Sequence, residues 1–338
     1  MDQRTRASLA SGFIGLVFLA VQVGALALVT PFDAAGYQAV EDPQNPVNSI
    51  VYLVAILAVT ALMLVVIRLD RERFIRLFVV FASGYLAWYV FSVAVPPVAT
   101  YAGVNLGALA AAGGLAVALY LYPEWYVIDA AGVVMGAGAA ALFGISFGIL
   151  PALVLLGALA VYDAVSVYGT EHMLTLASGV MDLKVPIVLV VPLSLSYSFL
   201  DADLPDPTGE VEDGAAEAGN DGQESVDGTD VEADPFDREA MFIGLGDAVI
   251  PTVLVASAAV FLEGVPTYEV AGLALTLPSL GAMAGTMLGL ALLLRMVLKG
   301  APHAGLPLLN GGAILGYLAG ALASGVPLLA ALGVARYL

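Results

Sequence analysis

Met241-Phe-Ile-Gly-Leu-Gly-Asp-Ala-Val-Ile-Pro251 places a carboxylate, Asp247, inside an apolar run that continues to about residue 262. A charge at the centre of a bilayer costs about 2.5–3.5 kcal/mol on insertion scales, so an acid there marks a functional position. The preceding apolar run carries a second acid, Asp163. Whether these two carboxylates meet decides what the chain can do.

The surroundings of the stretch set the class. Of 338 residues, 60% are hydrophobic and 12% charged, and the charged fraction of a soluble domain is about twice that. The composition describes an all-α polytopic membrane protein in a cell membrane, with one membrane domain over 1–338. The absence of cysteine excludes disulfides and thiolate chemistry, and two histidines, His172 and His303, argue against a zinc site. No metal, cofactor or nucleic-acid partner is expected. The net charge of −18 is local: 15 of the 29 acidic residues lie between Asp201 and Glu239. That stretch is rich in Asp, Glu, Gly and Ala without apolar periodicity, which reads as a disordered cytoplasmic loop.

Nine apolar runs approach the ~20 residues a spanning helix needs. They cover about 8–30, 48–67, 77–95, 98–120, 126–145, 148–169, 241–262, 278–298 and 307–325. The first run is too long for a signal-peptide core and reads as a span. Nine spans with a cytoplasmic N-terminus and an outer C-terminus put Arg4, Arg6, Arg68, Arg71, Arg73 and Arg76 inside. Lys184, Arg238, Arg295 and Lys299 fall on the same side, leaving Arg336 outside. Such a separation is what the positive-inside rule requires, and dropping an early span would scatter these residues over both faces.

Small residues recur at four-residue spacing in Gly103/Gly107, Gly132/Gly136 and Gly281/Gly285/Gly289. In lipid they allow close backbone approach, within one chain or across a homo-oligomer. After span 6, Val185-Pro-Ile-Val-Leu-Val-Val-Pro192 is apolar but interrupted by Pro186 and Pro192. Proline disfavours a continuous helix, whereas Ile187–Val191 favours a strand. Non-helical backbone at membrane depth survives where it is buried in protein or lines a wet cavity, here near the cytoplasmic mouth.

Asp129 lies close enough to the cytoplasmic end of span 5 to reach the interface. Asp163 and Asp247 lie deeper, each some six residues from the cytoplasmic end of its span. At 1.5 Å per residue both sit about 9 Å below the boundary on antiparallel helices. Two adjacent carboxylates do not readily ionise together, and such a pair titrates as a unit. It can hydrolyse a peptide without metal or thiol: one member takes a proton from water while the other polarises the scissile carbonyl. The same residue types also serve proton or cation relays in transporters and channels, and the acids alone do not separate the two uses. Neighbouring residues favour hydrolysis. Tyr162 offers a phenol beside Asp163; Gly244 and Gly246 uncover the backbone before Asp247. Pro251, four residues after Asp247, deprives that residue's carbonyl of its helical donor and opens a point for water.

Tyr162-Asp163 on span 6 and Gly244-Leu245-Gly246-Asp247 on span 7 resemble the motifs of the presenilin and signal-peptide-peptidase family of intramembrane aspartyl proteases. Ala248-Val249-Ile250-Pro251 is more similar to signal peptide peptidases and archaeal homologues. The resemblance covers the chain and implies nine spans, a catalytic pair Asp163/Asp247, transmembrane-helix substrates and no cofactor. The family's third motif, Pro-Ala-Leu, is matched at the start of span 9 by Ala304-Gly305-Leu306-Pro307, which keeps only the leucine and its following proline. With Tyr162, Gly244, Leu245 and Gly246 these four residues are implied to contact substrate. A literal Pro151-Ala152-Leu153 opens span 6 at the wrong end. Prepilin peptidases share a Gly-x-Gly-Asp signature, but their lysine after the aspartate is replaced here by Ala248 and Val249. In the family, a substrate helix is unwound and paired as a strand, which implies an exposed edge at Val185–Val191 and a role for Leu306-Pro307. Autoproteolysis within the loop is implied as well, with no cut site identified.

Overall fold

The computed structural model describes residues 3–69, 72–169, 188–193, 197–200, 240–298 and 304–337. The acidic stretch 201–239, residues 185–187, and Lys184, Arg238 and Lys299 of the charge argument lie outside the described residues. Among the described residues, nine apolar helices follow one another: α1 Gln3–Ala34, α2 Val47–Arg68, α3 Glu72–Ala94, α4 Leu106–Leu121 and α5 Trp125–Ser146, then α6 Ile149–Gly169, α7 Leu245–Phe261, α8 Leu277–Val297 and α9 Gly305–Ala323. Among the described residues, seven of these are long and apolar enough to cross a membrane, and α4 and α7 are shorter apolar helices. The chain is an integral, multi-pass membrane protein.

Among the described residues, three two-stranded antiparallel ribbons interrupt the helices. β1 (Thr100–Tyr101) pairs with β2 (Val104–Asn105), β3 (Val188–Pro192) with β4 (Ala240–Gly244), and β5 (Thr267–Val270) with β6 (Leu273–Thr276). The first ribbon turns at Ala102 and Gly103, φ 49° and 81°, the two left-handed residues of a tight hairpin. Gly103 therefore serves a turn rather than a helix face, and the helix after it starts at Leu106, where Asn105 caps the Gly107 and Ala108 N–H groups. The polar caps and turn residues of 98–105 outweigh the apolar average of that run.

The core lies around α7. Its inner residues pack with α6, α8 and α9 through Leu156, Leu254, Ala282 and Ala313, and α1 and α5 close the other side through Ala25, Ala140, Ala141 and Ala256. α2 touches mainly α3 and α6 and exposes Ile50, Val54, Leu57 and Leu62, among other apolar side chains. In a bilayer that face meets lipid.

One glycine stripe explains the close approach of α8 and α9. A Cβ on Gly281, Gly285 or Gly289 of α8 would collide with the carbonyl oxygen of Gly316, Gly312 or Leu308 on α9, and the reverse clashes arise at Gly312 and Gly316. The two backbones are in direct contact, which only hydrogen at Cα permits. Gly132 and Gly136 of α5 instead receive the side chains of Leu189 on β3, Leu245 at the start of α7 and Val21 on α1. Both stripes are used within the chain.

Gly285→Val should force α8 and α9 apart. Overpacking of this kind costs about 1–3 kcal/mol, so the thermal unfolding midpoint in detergent is expected to fall by about 3–10 °C. Gly311→Ala, where nothing stands within 4 Å of the added methyl, should leave it unchanged. Equal midpoints for the two variants would contradict backbone contact between these helices.

Candidate active site

Asp163 is the fifteenth of 21 residues of α6 and is 7% exposed. Its Oδ2 accepts a hydrogen bond from the Leu306 N–H at 3.0 Å, and the Gly305 N–H reaches the same carboxylate. Gly305 and Leu306 are the first two residues of α9. The first N–H groups of a helix have no partner inside it, and a carboxylate placed there satisfies them and complements the helix dipole. Pro307, third in the helix, has no N–H to satisfy. Asp163 thus caps α9 from a neighbouring helix. One step earlier, the Ala304 N–H donates to the Tyr168 hydroxyl at 3.3 Å. Deeper in, Asn310 Nδ2 donates to the Leu156 carbonyl at 2.9 Å, so α6 and the start of α9 are tied at three levels.

Asp247 arrives by a different route. The run over 241–262 begins as strand, and helix α7 starts only at Leu245. Asp247 is therefore its third residue, in the first turn, rather than some six residues into a helix. The Gly244-Leu245-Gly246 sequence accounts for the change: glycine loses more freedom in a helix than any other residue, and β3 supplies a ladder for 240–244. Gly244 is both the last paired residue of β4 and the N-cap of α7, with φ −59° and ψ 131°. A Cβ placed on Gly244 would lie 3.5 Å from Asp247 Oδ2, and one on Gly305 would lie 3.3 Å from the same oxygen and 3.4 Å from Leu293 Cδ2. Gly305 is thus the common neighbour: its N–H faces Asp163 and its Cα faces Asp247. The two carboxylates lie within electrostatic range of each other.

The remaining candidates separate by environment. Gly246 is exposed. Leu245 turns its side chain onto Gly132 and Gly136 of α5, and Leu306 packs on the buried cluster of α6, α7 and α9. Ala304 is buried. Tyr162 is 49% exposed, about 100° around α6 from its neighbour Asp163. Pro151-Ala152-Leu153 stands in the first turn of α6, at the far end from Asp163.

Two residues join the site that sequence reasoning left aside. Tyr168 is 66% exposed, and only the docking of Ala304 gives its hydroxyl a task. Asp129 does not reach the interface: it is 4% exposed, and its Oδ1 accepts the Val190 N–H at 2.8 Å. Its distance from the helix start was the available signal, because a carboxylate a full turn inside an apolar run needs a partner.

β3 is also not an exposed edge. Leu189, Val190 and Val191 are buried, β4 takes one side of the strand, and Asp129 takes the other. Because the Val190 N–H points to Asp129, the opposite residue Phe242 occupies a non-hydrogen-bonded position of the antiparallel ladder. Pro192, which has no N–H, falls on the same parity opposite Ala240. The backbone groups of Ala240 and Phe242 consequently face outward, away from β3, and among the described residues no other strand pairs with β4.

The model of the family described as signal-peptide peptidase, presenilin aspartyl protease matches residues 15–326. A presenilin family intramembrane aspartate protease solved in space group C222 superposes with a TM-score of 0.62 at 36% identity, covering 93% of this chain and 99% of that one. A presenilin family intramembrane aspartate protease in space group P2 gives 0.60 at 37% identity, covering 91% and 96%. No curated protein matches the chain significantly.

A methyl on Gly305 would fit tightly, 3.3 Å from Asp247 Oδ2 and 3.4 Å from Leu293 Cδ2, and a larger side chain would not. Gly305→Ala is expected to lower kcat/KM a few-fold, whereas Gly305→Val, by displacing a carboxylate about 1 Å, should cost about 100-fold or more. Steady-state cleavage assays on the reconstituted variants check this, and a fully active Gly305→Val would contradict the placement.

Proposed function

The chain belongs to the signal-peptide peptidase and presenilin family of aspartyl proteases, and from that membership we propose that Asp163 and Asp247 are the catalytic pair of an intramembrane aspartic endopeptidase. One observation carries the assignment: the first residue of α9 lies next to both carboxylates, with its N–H toward Asp163 and its Cα facing Asp247. The spacing that holds the acids together is therefore built by backbone.

The substrate is a transmembrane helix of another membrane protein. A carbonyl within a helix is closed to attack by its own hydrogen bonds, so the segment to be cut unwinds first. The outward edge of β4 offers it replacement partners at Ala240 and Phe242, in the manner of β-augmentation. From Phe242 to Gly244 is about 7 Å along a strand, and Gly244 abuts Asp247. A peptide paired at Phe242 thus brings its scissile bond to the acids about two residues further on.

Adjacent carboxylates work with one proton between them. The ionised member takes a proton from water as the water oxygen bonds to the carbonyl carbon, and the protonated member donates to the carbonyl oxygen. Collapse of the tetrahedral species breaks the C–N bond, with a proton passing to the departing nitrogen, and yields an acid and an amine. Separate acid and base roles are not assigned to the two residues. Nine spans with a cytoplasmic N-terminus put this chemistry toward the cytoplasmic leaflet.

Asp163→Asn and Asp247→Asn should each abolish cleavage of a reconstituted transmembrane substrate while the protein remains folded. Loss of binding of a transition-state-analogue aspartyl protease inhibitor, seen as loss of its thermal protection, is expected in both. Full activity in either variant sinks the assignment. Ion flux through liposomes that depends on Asp247, without cleavage of any helical substrate, would instead make the pair a relay.

A further inference from the structure

Asp129 is a buried acid for which the hydrolytic chemistry has no use. It stands on α5, bonded through Oδ1 to the Val190 N–H, while its Oδ2 has no partner among the described residues. One turn earlier, at the N-cap of the same helix, Glu124 accepts the Ser198 hydroxyl at 2.7 Å and the Phe199 N–H at 3.0 Å. Between them, α5 grips the chain before and after Pro192. One turn after Asp129, Gly132 provides a seat for Leu189: a Cβ there would lie 2.8 Å from Leu189 Cδ2.

We infer that Asp129 is a positioning residue for proteolysis, fixing the register of the β3–β4 ribbon and so the residue of the substrate that reaches the catalytic pair. A two-stranded ribbon alone is marginal, and sliding is opposed only where one face or edge is specified. The Asp129 bond specifies the edge of β3. The ladder passes that register to β4, and β4 runs unbroken into Asp247. A ribbon free to slip would offer Phe242 at a displaced position, and a substrate paired to it would be cut elsewhere. This inference rests on the reading that β4 captures substrate.

The experiment compares purified, reconstituted variants on one transmembrane substrate, with cleavage positions mapped by mass spectrometry. Asp129→Ala is expected to lower kcat/KM about tenfold, the loss of one buried hydrogen bond, and to spread cleavage over neighbouring bonds. Asp129→Asn keeps the acceptor oxygen and should retain the wild-type cleavage position with kcat/KM within about threefold. Val190→Pro removes the donor from the other side without touching the ladder. It should reproduce the spread pattern even where Asp129→Ala fails to fold, and its combination with Asp129→Ala should add little. Wild-type positions and rates in both Asp129→Ala and Val190→Pro overturn the inference, as does an Asp129→Asn as impaired and as imprecise as the alanine variant. Phe242→Pro separates the two readings, because it deletes an outward N–H of β4 and leaves the ribbon paired. If it cleaves like wild type, substrate capture by β4 itself fails. If it is impaired while Asp129→Ala is not, only the anchoring role of Asp129 fails.

Discussion

The first N–H groups of a helix have no acceptor among its own carbonyls, and at α9 a carboxylate from α6 supplies one. The Asp163–Leu306 bond therefore joins folding to chemistry. The acid sits where it does because α9 needs a cap, and α9 starts where it does because the cap is there. Tyr168 on Ala304 and Asn310 on Leu156 extend the same joint above and below. Main-chain bonds leave a side chain less freedom than rotamer packing does, which suits a group that must face a second acid at fixed range.

Delivery of the α9 N-terminus to that point depends on α8. Glycine contacts along 281–289 and 308–316 bring the two backbones to van der Waals distance, so α9 cannot slide without breaking a continuous interlock. Leu293 of α8 completes the wall beside Gly305. The departure from Pro-Ala-Leu acquires a meaning here. The glycine that replaces the motif's alanine stands between Asp247 and Leu293, where an added methyl would meet both within 3.4 Å.

The second acid is held by different means. Extended backbone at this depth survives because β3 is buried on its faces, paired on one edge and capped on the other by Asp129. β4 shares that protection on one side only. Its other edge and the first turn of α7 are consecutive in the chain, so the surface suited to an unwound peptide and the acid suited to cutting it cannot drift apart. Leu245, read from the motif as a substrate contact, also turns its side chain onto α5 at this junction.

Much was legible in the residues themselves. Composition alone required a membrane protein, since so few charges over so long a chain leave no soluble surface. The cost of burying a charge singled out Asp163 and Asp247, and the paired prolines with Ile187–Val191 pointed to extended chain after span 6. These conclusions need only local chemistry. What no local pattern contains is which groups satisfy which across the fold. Asp129 looked like an interface acid because its partner lies 61 residues away, and Tyr168 drew no notice because its partner lies 136 residues away. The helical start of span 7 gave way to strand because β3 offered a ladder that the sequence of 241–244 does not reveal. The sequence determined that two costly carboxylates lie at one depth on consecutive spans. Tertiary structure decided that the first glycine of α9 stands beside both, because only the assembled chain shows which backbone donors take a carboxylate from another helix.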